Sequence, residues 1–130
     1  MRRFAVVLLL LGGTAAADVD PAVHFQQRVL PLLQARCISC HGTEKQKGKL
    51  RLDSRDALLK GGENGPAIVV GDPEKSLLIQ AVRQTHAEIR MPPKEKLAAD
   101  QVEALVQWIK EGAAWVEPKP VELAGRLGDA

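Results

Sequence analysis

Residues 37–41 read Cys37-Ile38-Ser39-Cys40-His41, and this stretch holds both cysteines of the chain. The spacing C-x-x-C-H is the attachment pattern for c-type haem. In that chemistry the two thiols form thioethers with the haem vinyl groups, and the histidine supplies a nitrogen ligand to iron. The same residues also fit a thioredoxin-like redox pair, half of a zinc site or a plain Cys37–Cys40 disulfide, so the rest of the chain has to decide.

The N-terminus has the three parts of a secretory signal peptide. A basic start at Arg2 and Arg3 precedes an apolar run over residues 4–11 and an A-x-A cleavage pattern at residues 15–17. We therefore expect residues 1–17 to be removed and the mature protein to be periplasmic, outside the cytoplasm, where c-type haem is attached. The apolar run is shorter than the roughly 20 residues of a membrane span, so no membrane span is expected after cleavage.

Charge and composition limit the partners of the mature chain. Arg2 and Arg3 account for the formal net charge of +2, so the mature chain is close to neutral. Neither nucleic acid nor an anionic membrane is favoured as a partner. The mature chain has no tyrosine, and its aromatic residues are Phe25, Trp108 and Trp115. A single haem would supply the large apolar group that such a core lacks.

Hydrophobic spacing and capping residues predict one small helical domain over residues 18–115, with no internal repeat. Asp20 and Pro21 are typical of a helix start, and this first helix runs towards Cys37. Pro31 must kink the helix or start a second one, because proline lacks the backbone N–H. His24 lies on this helix and is expected to be a partly exposed surface residue.

Three further helices are predicted. Asp53 or Ser54 caps a short helix through Leu59, and Asp72-Pro73 starts another that runs to about Arg83. Between them, residues 67–70 form a short strand or coil. The last helix spans about residues 99–111, and we expect an extended or disordered tail over residues 116–130. The buried stripe of the last helix is marked by Val102, Leu105, Val106 and Ile109.

Six-coordinate haem needs a second axial ligand opposite His41, normally methionine or histidine. Met91 is the only methionine of the mature chain and lies in a stretch without helical periodicity. The two prolines that follow, Pro92-Pro93, restrict the backbone to an extended path. These features favour Met91 as the ligand, with His86 as the main competitor.

Six stretches of the chain resemble the planctomycete-type c cytochromes, a family within the class I cytochrome c fold. The resemblance runs over residues 25–115 and departs from the family at Ala98-Ala99, where a Ser or Thr cap is common, so Asp100 is expected to cap the last helix. The six stretches are R-C-I-S-C-H-G at 36–42, G-K-L-R-L-D-S at 48–54, G-P-A-I-V at 65–69, S-L-L-I at 76–79, M-P-P-K at 91–94 and W-I-K-E-G-A at 108–113.

This resemblance implies an all-α, class I cytochrome c-like fold wrapped around one haem c. The haem would be bound covalently through Cys37 and Cys40, with His41 and Met91 as the axial ligands to iron. The family pattern also implies that the carbonyl of Pro66 accepts a hydrogen bond from His41, which would orient its ring.

The sequence therefore predicts an exported single-haem c-type cytochrome that carries one electron between separate periplasmic redox proteins. We expect it to act as a monomer and to transform no substrate, so it is not predicted to be an enzyme. One alternative is a haem-based sensor or peroxidase-like enzyme with a labile sixth ligand. Another is a thiol–disulfide oxidoreductase that uses Cys37 and Cys40, although the usual βαβ setting of such proteins is missing.

Overall fold

A computed structural model describes residues 19–117, and this part of the chain is helical. Strand structure within it is limited to two isolated bridges, His41 with Gln46 and Gly62 with Gly65, so the predicted all-α class is confirmed. The α-helices are α1 (Pro21–His24), α2 (Leu30–Arg36), α3 (Arg55–Lys60), α4 (Leu77–Val82) and α5 (Ala99–Lys110), with a π-helical segment at Phe25–Val29 and a 3-10 turn at Lys47–Lys49.

The ends of the chain carry two of the sequence predictions. The signal peptide at residues 1–17 and residues 118–130 of the tail lie outside the described residues, and the domain limits of 18 and 115 stay predictions. Between residues 19 and 117, every helix is too short or too polar to cross a membrane.

The first helix begins and bends where the sequence predicts. The side chain of Asp20 accepts a hydrogen bond of 2.8 Å from the backbone N–H of Ala22, which caps α1. Directly before Pro31 the helix widens into the π-helical segment, where the N–H of Leu30 donates to the carbonyl of Phe25. The predicted interruption at Pro31 is therefore confirmed, and the widened turn that accompanies it is a feature that the sequence did not indicate.

His24 is buried, so the prediction of a partly exposed surface residue is wrong. Its side chain is 7% exposed, and its Nε2 donates to the carbonyl oxygen of Ala104 in α5 across 2.9 Å. The local sequence does not indicate this burial, because the partner of His24 is 80 residues further along the chain. This hydrogen bond satisfies a buried polar group and ties α1 to α5.

An aromatic cluster, formed by Phe25, Trp108 and Trp115, packs the π-helical segment against the C-terminal part of the domain. The ring of Phe25 lies 6.0 Å from that of Trp108 and 4.6 Å from that of Trp115, measured between centroids. Trp108 is 1% exposed, and its indole N–H donates to the carbonyl of Ala114 across 2.8 Å. The first and last helices therefore share a packed centre of their own.

The predicted helices α3 and α5 are confirmed, with one corrected cap. Ser54 caps α3, because its hydroxyl accepts from the N–H of Ala57 across 3.1 Å. At the start of α5, the N–H of Ala98 donates to the side-chain oxygen of Gln101 across 2.9 Å. Gln101 rather than Asp100 therefore compensates for the missing Ser or Thr. Leu105, Val106 and Ile109 are buried as predicted, whereas Val102 is only partly buried.

Helix α4 starts later than the sequence predicts, at Leu77 instead of Pro73. Residues 72–76 form a turn because the hydroxyl of Ser76 folds back on them. It accepts from the N–H of Val69 and donates to the carbonyl of Asp72, each across 2.9 Å. A buried side chain that bonds the preceding backbone competes with helix formation, and Ser76 is fully buried.

Replacing this hydroxyl is expected to lower the stability of the domain. We expect Ser76→Ala to lower the free energy of unfolding by about 1–3 kcal/mol, because it removes a fully buried hydroxyl that bonds the N–H of Val69 and the carbonyl of Asp72. Chemical denaturation of the purified protein measures the loss. Ser39→Ala is the matched control, since Ser39 is exposed and should change stability by less than about 0.5 kcal/mol. Equal stabilities of the two variants would contradict a structural role for the Ser76 hydroxyl.

Candidate functional site

One cavity collects the sulfur and imidazole side chains that the sequence singles out. Cys37, Cys40, His41 and Met91 all line it. The centre of a water-sized sphere has about 200 Å³ of space in it, far more than the roughly 10–15 Å³ that holds one water molecule, so the cavity suits a cofactor rather than a single ion. The other walls are mainly aliphatic and are formed by Leu50, Leu52, Ala67, Leu77, Leu78, Ala81, Val82 and Ile89.

The cysteine motif lies in a tight turn at the end of α2. The carbonyl of Cys37 accepts from the N–H of Cys40 across 3.2 Å and from that of His41 across 3.0 Å. Residues spaced by three and four on such a turn share one face, so both thiols and the imidazole reach the same cavity. Only glycine fits at the next position, because a Cβ on Gly42 would lie 2.6 Å from the carbonyl oxygen of Ile38.

The ring of His41 is oriented by a carbonyl other than the one predicted. Its Nδ1 lies 3.3 Å from the carbonyl oxygen of Leu50, which can only accept, so Nδ1 carries the proton. The chain after the motif folds back on it, since the N–H of Leu52 donates to the carbonyl of His41 across 2.8 Å. Pro66 is exposed and does not appear among the described residues that line the cavity. In this structure Leu50 therefore supplies the carbonyl that Nδ1 of His41 meets, and the role implied for Pro66 stays a prediction.

Met91 reaches the cavity from a loop that the end of α4 holds. The backbone N–H of Met91 donates across 3.1 Å to the carbonyl of Ala81 in the last turn of α4, and this carbonyl also accepts from the N–H of Gln84. The side chain of His86 stabilises a turn within the loop instead, because its Nδ1 accepts from the N–H groups of Glu88 and Ile89 across 3.1 and 3.0 Å. Within residues 19–117, the cavity lining includes Met91 but not His86.

Burial makes one of the two thiols a poor nucleophile. The apolar surroundings raise the pKa of the Cys37 thiol to about 11, and the nearby charge of Arg36 opposes this only in part. Thiol–disulfide oxidoreductases need the opposite, a thiolate that is populated near neutral pH. A zinc site is disfavoured as well, since no group of three or more His, Cys, Asp or Glu side chains within residues 19–117 is placed to bind a metal.

Three charged side chains, those of Arg36, Lys47 and Glu63, are among the lining residues of the cavity, and those of Lys47 and Glu63 are exposed. Beside them, the Arg51 guanidinium donates to the Asp53 carboxylate across 3.0 Å, and this hydrogen bond holds the pKa of Asp53 below its usual range. This pair restrains the short segment between Leu50, whose carbonyl meets His41, and the start of α3.

Two contributors to the site were not found from the sequence. Leu50 acts through a backbone oxygen, which leaves no signal in the residue type. Arg36 is the other, and its position directly before Cys37 was the available signal.

The donor set and the walls fit a covalently bound haem. Two thiols, one imidazole and one thioether face the same apolar space, which is the combination that haem c takes from a protein. No aromatic side chain of the described residues occupies that space, because all three aromatics lie in the aromatic cluster. A cofactor with a large apolar ring therefore has room against aliphatic side chains.

Comparison with known proteins identifies the segment that carries the site. Residues 37–95 match the family described as Planctomycete cytochrome C. The matched segment begins at the first cysteine of the motif and includes His41 and Met91, so the resemblance predicted from the sequence is confirmed over residues 37–95. No curated protein and no solved structure matches the chain.

Proposed function

We propose that this cytochrome-type domain holds one haem c and carries single electrons between separate redox proteins in the periplasm. The observation that supports the proposal is the placement of Cys37, Cys40, His41 and Met91 around one apolar cavity. The bound haem would supply the one-electron change between ferric and ferrous iron. The protein would be a monomer and would transform no substrate.

The two cysteines would anchor the cofactor without consuming an oxidant. Each S–H adds across one vinyl C=C bond, so that sulfur bonds to one carbon and the hydrogen to the other. The turn that ends α2 holds Cys37 and Cys40 one helical turn apart, so both additions take place on one side of the cavity. Attachment at two points keeps the cofactor bound in either redox state.

The axial residues and the walls would set the redox potential. Because Nδ1 of His41 donates to Leu50, the neutral ring presents its unprotonated Nε2 to a metal, and this hydrogen bond makes the imidazole a stronger ligand. A thioether from Met91 on the other axial position favours ferrous iron and raises the potential. The aliphatic walls would limit the access of water to the cofactor, and this would also raise the potential.

A class I cytochrome c-like wrapping is part of the proposal. The chain from His41 to Met91 runs through α3 and α4 and returns to the cavity. Most of the lining comes from this stretch, as a chain wrapped around its cofactor requires. The sensor or peroxidase alternative needs a sixth ligand that leaves easily, whereas the backbone of Met91 is bonded to α4.

Intact-mass analysis tests the proposal. The full chain is produced in a bacterium that carries c-type haem maturation machinery, and the exported protein is isolated. We expect residues 18–130 plus one haem that resists acid–acetone extraction, with no free thiol and no disulfide. A mature protein that lacks haem and carries a Cys37–Cys40 disulfide would contradict the proposal. Rapid carbon monoxide binding by the reduced haem protein would favour the sensor or peroxidase alternative.

A further inference from the structure

We infer that Arg36 is a positioning residue for the loop that carries Met91, residues 84–98. Arg36 is the last residue of α2 and directly precedes Cys37. Its guanidinium donates to the backbone carbonyl of Glu95 across 3.3 Å and lies 3.6 Å from the carboxylate of the same residue. Its significance for iron ligation rests on the proposed function, but the contact itself does not.

The middle of the loop needs such a contact because few others hold it. The loop is tied at its start, where the N–H groups of residues 84–86 donate to carbonyls of α4, and at its end, where the N–H of Ala98 donates to Gln101. Between these ends, its described fixed points are the N–H of Met91, bonded to Ala81, and the side chain of Leu97, which is 3% exposed. Residues 92–96 lie between these points and are mostly exposed. Among the hydrogen bonds of residues 19–117, the one from Arg36 to Glu95 is the one that ties this stretch to the rest of the domain.

The backbone hydrogen bond outweighs the ion pair. The Glu95 side chain is 81% exposed, and exposed ion pairs contribute little to stability. The hydrogen bond to the carbonyl has a charged donor, and the Arg36 side chain is only 26% exposed and lines the cavity. Substitution of Glu95 should therefore matter little, because every residue type keeps the carbonyl, whereas substitution of Arg36 should release the loop.

This arrangement couples the two sides of the site. Arg36 and Cys37 are consecutive, so the turn that holds the thiols also holds the loop that presents Met91. A competing role for Arg36 is simple charge, since its guanidinium at the edge of the cavity could face the carboxylates of the cofactor. A lysine at this position would keep the charge but lose the planar fork of donors, which separates the two roles.

The test compares Arg36→Gln, Arg36→Lys and Glu95→Gln with the wild type, all purified with haem bound. Arg28→Gln is the matched control, because Arg28 lies on the same helical stretch, pairs with Asp100 at 4.0 Å and is half exposed. Two quantities are measured: amide hydrogen exchange at Met91, whose N–H is bonded to Ala81, and the rate of carbon monoxide binding to the reduced protein. We expect Arg36→Gln to raise both by about tenfold, which corresponds to the loss of about 1.4 kcal/mol. The exchange rate and the carbon monoxide binding rate of Arg36→Lys should lie between those of Arg36→Gln and the wild type. Both rates in Glu95→Gln and Arg28→Gln should match the wild type.

Three outcomes would separate the proposals. Unchanged exchange at Met91 in Arg36→Gln, even with a lower melting temperature, would overturn the positioning role. Full recovery of the carbon monoxide rate in Arg36→Lys, with equal exchange in all variants, would assign Arg36 to charge alone and overturn it too. A wild-type protein that binds carbon monoxide at once would refute ligation by Met91, and faster exchange in Arg36→Gln would still support the positioning role.

Discussion

The double variant Cys37→Ala/Cys40→Ala is expected to accumulate without haem and to lose its sharp thermal transition. The reason is the cavity, whose aliphatic walls have no protein side chain to pack against in its centre. A domain of this size has a net stability of only about 5–15 kcal/mol, and an aliphatic side chain that faces water instead of a packed neighbour loses the roughly 1.5–3 kcal/mol of its burial. Several such side chains line the cavity, so cooperative unfolding should be lost.

The variant should nevertheless keep part of its helix content. The aromatic cluster and the His24–Ala104 hydrogen bond lie apart from the cavity residues and hold the first and last helices together. We therefore expect a helical far-ultraviolet spectrum with poorly dispersed amide signals. Ser39→Ala is the matched control, because it changes an exposed residue between the cysteines and should retain haem and a sharp melt. Well-dispersed amide signals and a cooperative melt in the double variant would count against a core built around the cofactor.

The second large effect concerns the sixth ligand. Met91→Ala is expected to abolish the far-red sulfur-to-iron charge-transfer band, to lower the redox potential and to open the site to carbon monoxide. Met91 lines the cavity, and loss of its thioether leaves either water or a stronger donor in its place. Visible spectra of the oxidised protein and a redox titration measure the change.

His86 provides the control for this experiment. Its Nδ1 accepts two backbone hydrogen bonds, and His86→Asn keeps an acceptor that can serve the same turn. We expect this variant to retain the far-red band and the potential of the wild type. If the His86 variant loses the band and the Met91 variant keeps it, the assignment of the axial pair is wrong, while covalent haem attachment would stand.

Local signals in the sequence were sufficient for most helices. Asp20, Pro31 and Ser54 act on residues within one turn of themselves, so their capping and breaking effects are visible without a structure. The same holds for α5, whose apolar spacing is long and regular. The cysteine motif is local as well, and its turn brings Cys37, Cys40 and His41 to one face.

Contacts between distant parts of the chain were not predictable in this way. His24 is buried because Ala104 offers a carbonyl, and α4 starts late because Ser76 bonds to Val69. In the site, the carbonyl of Leu50 meets the ring of His41 because the loop after the motif folds back on this residue. Each case depends on a backbone atom supplied by another segment, and backbone atoms are the same in every residue type.

The aromatic cluster also determines how the domain can be joined to other proteins. Phe25 lies near the beginning of the described chain and Trp115 near its end, and their rings are 4.6 Å apart. Both ends of the domain therefore leave it at one place, and neither residue lines the cavity. A domain with adjacent ends can be inserted into a loop of a host protein or fused at either terminus. Such a graft would transfer the cavity together with Cys37, Cys40, His41 and Met91 and leave the approach to it clear.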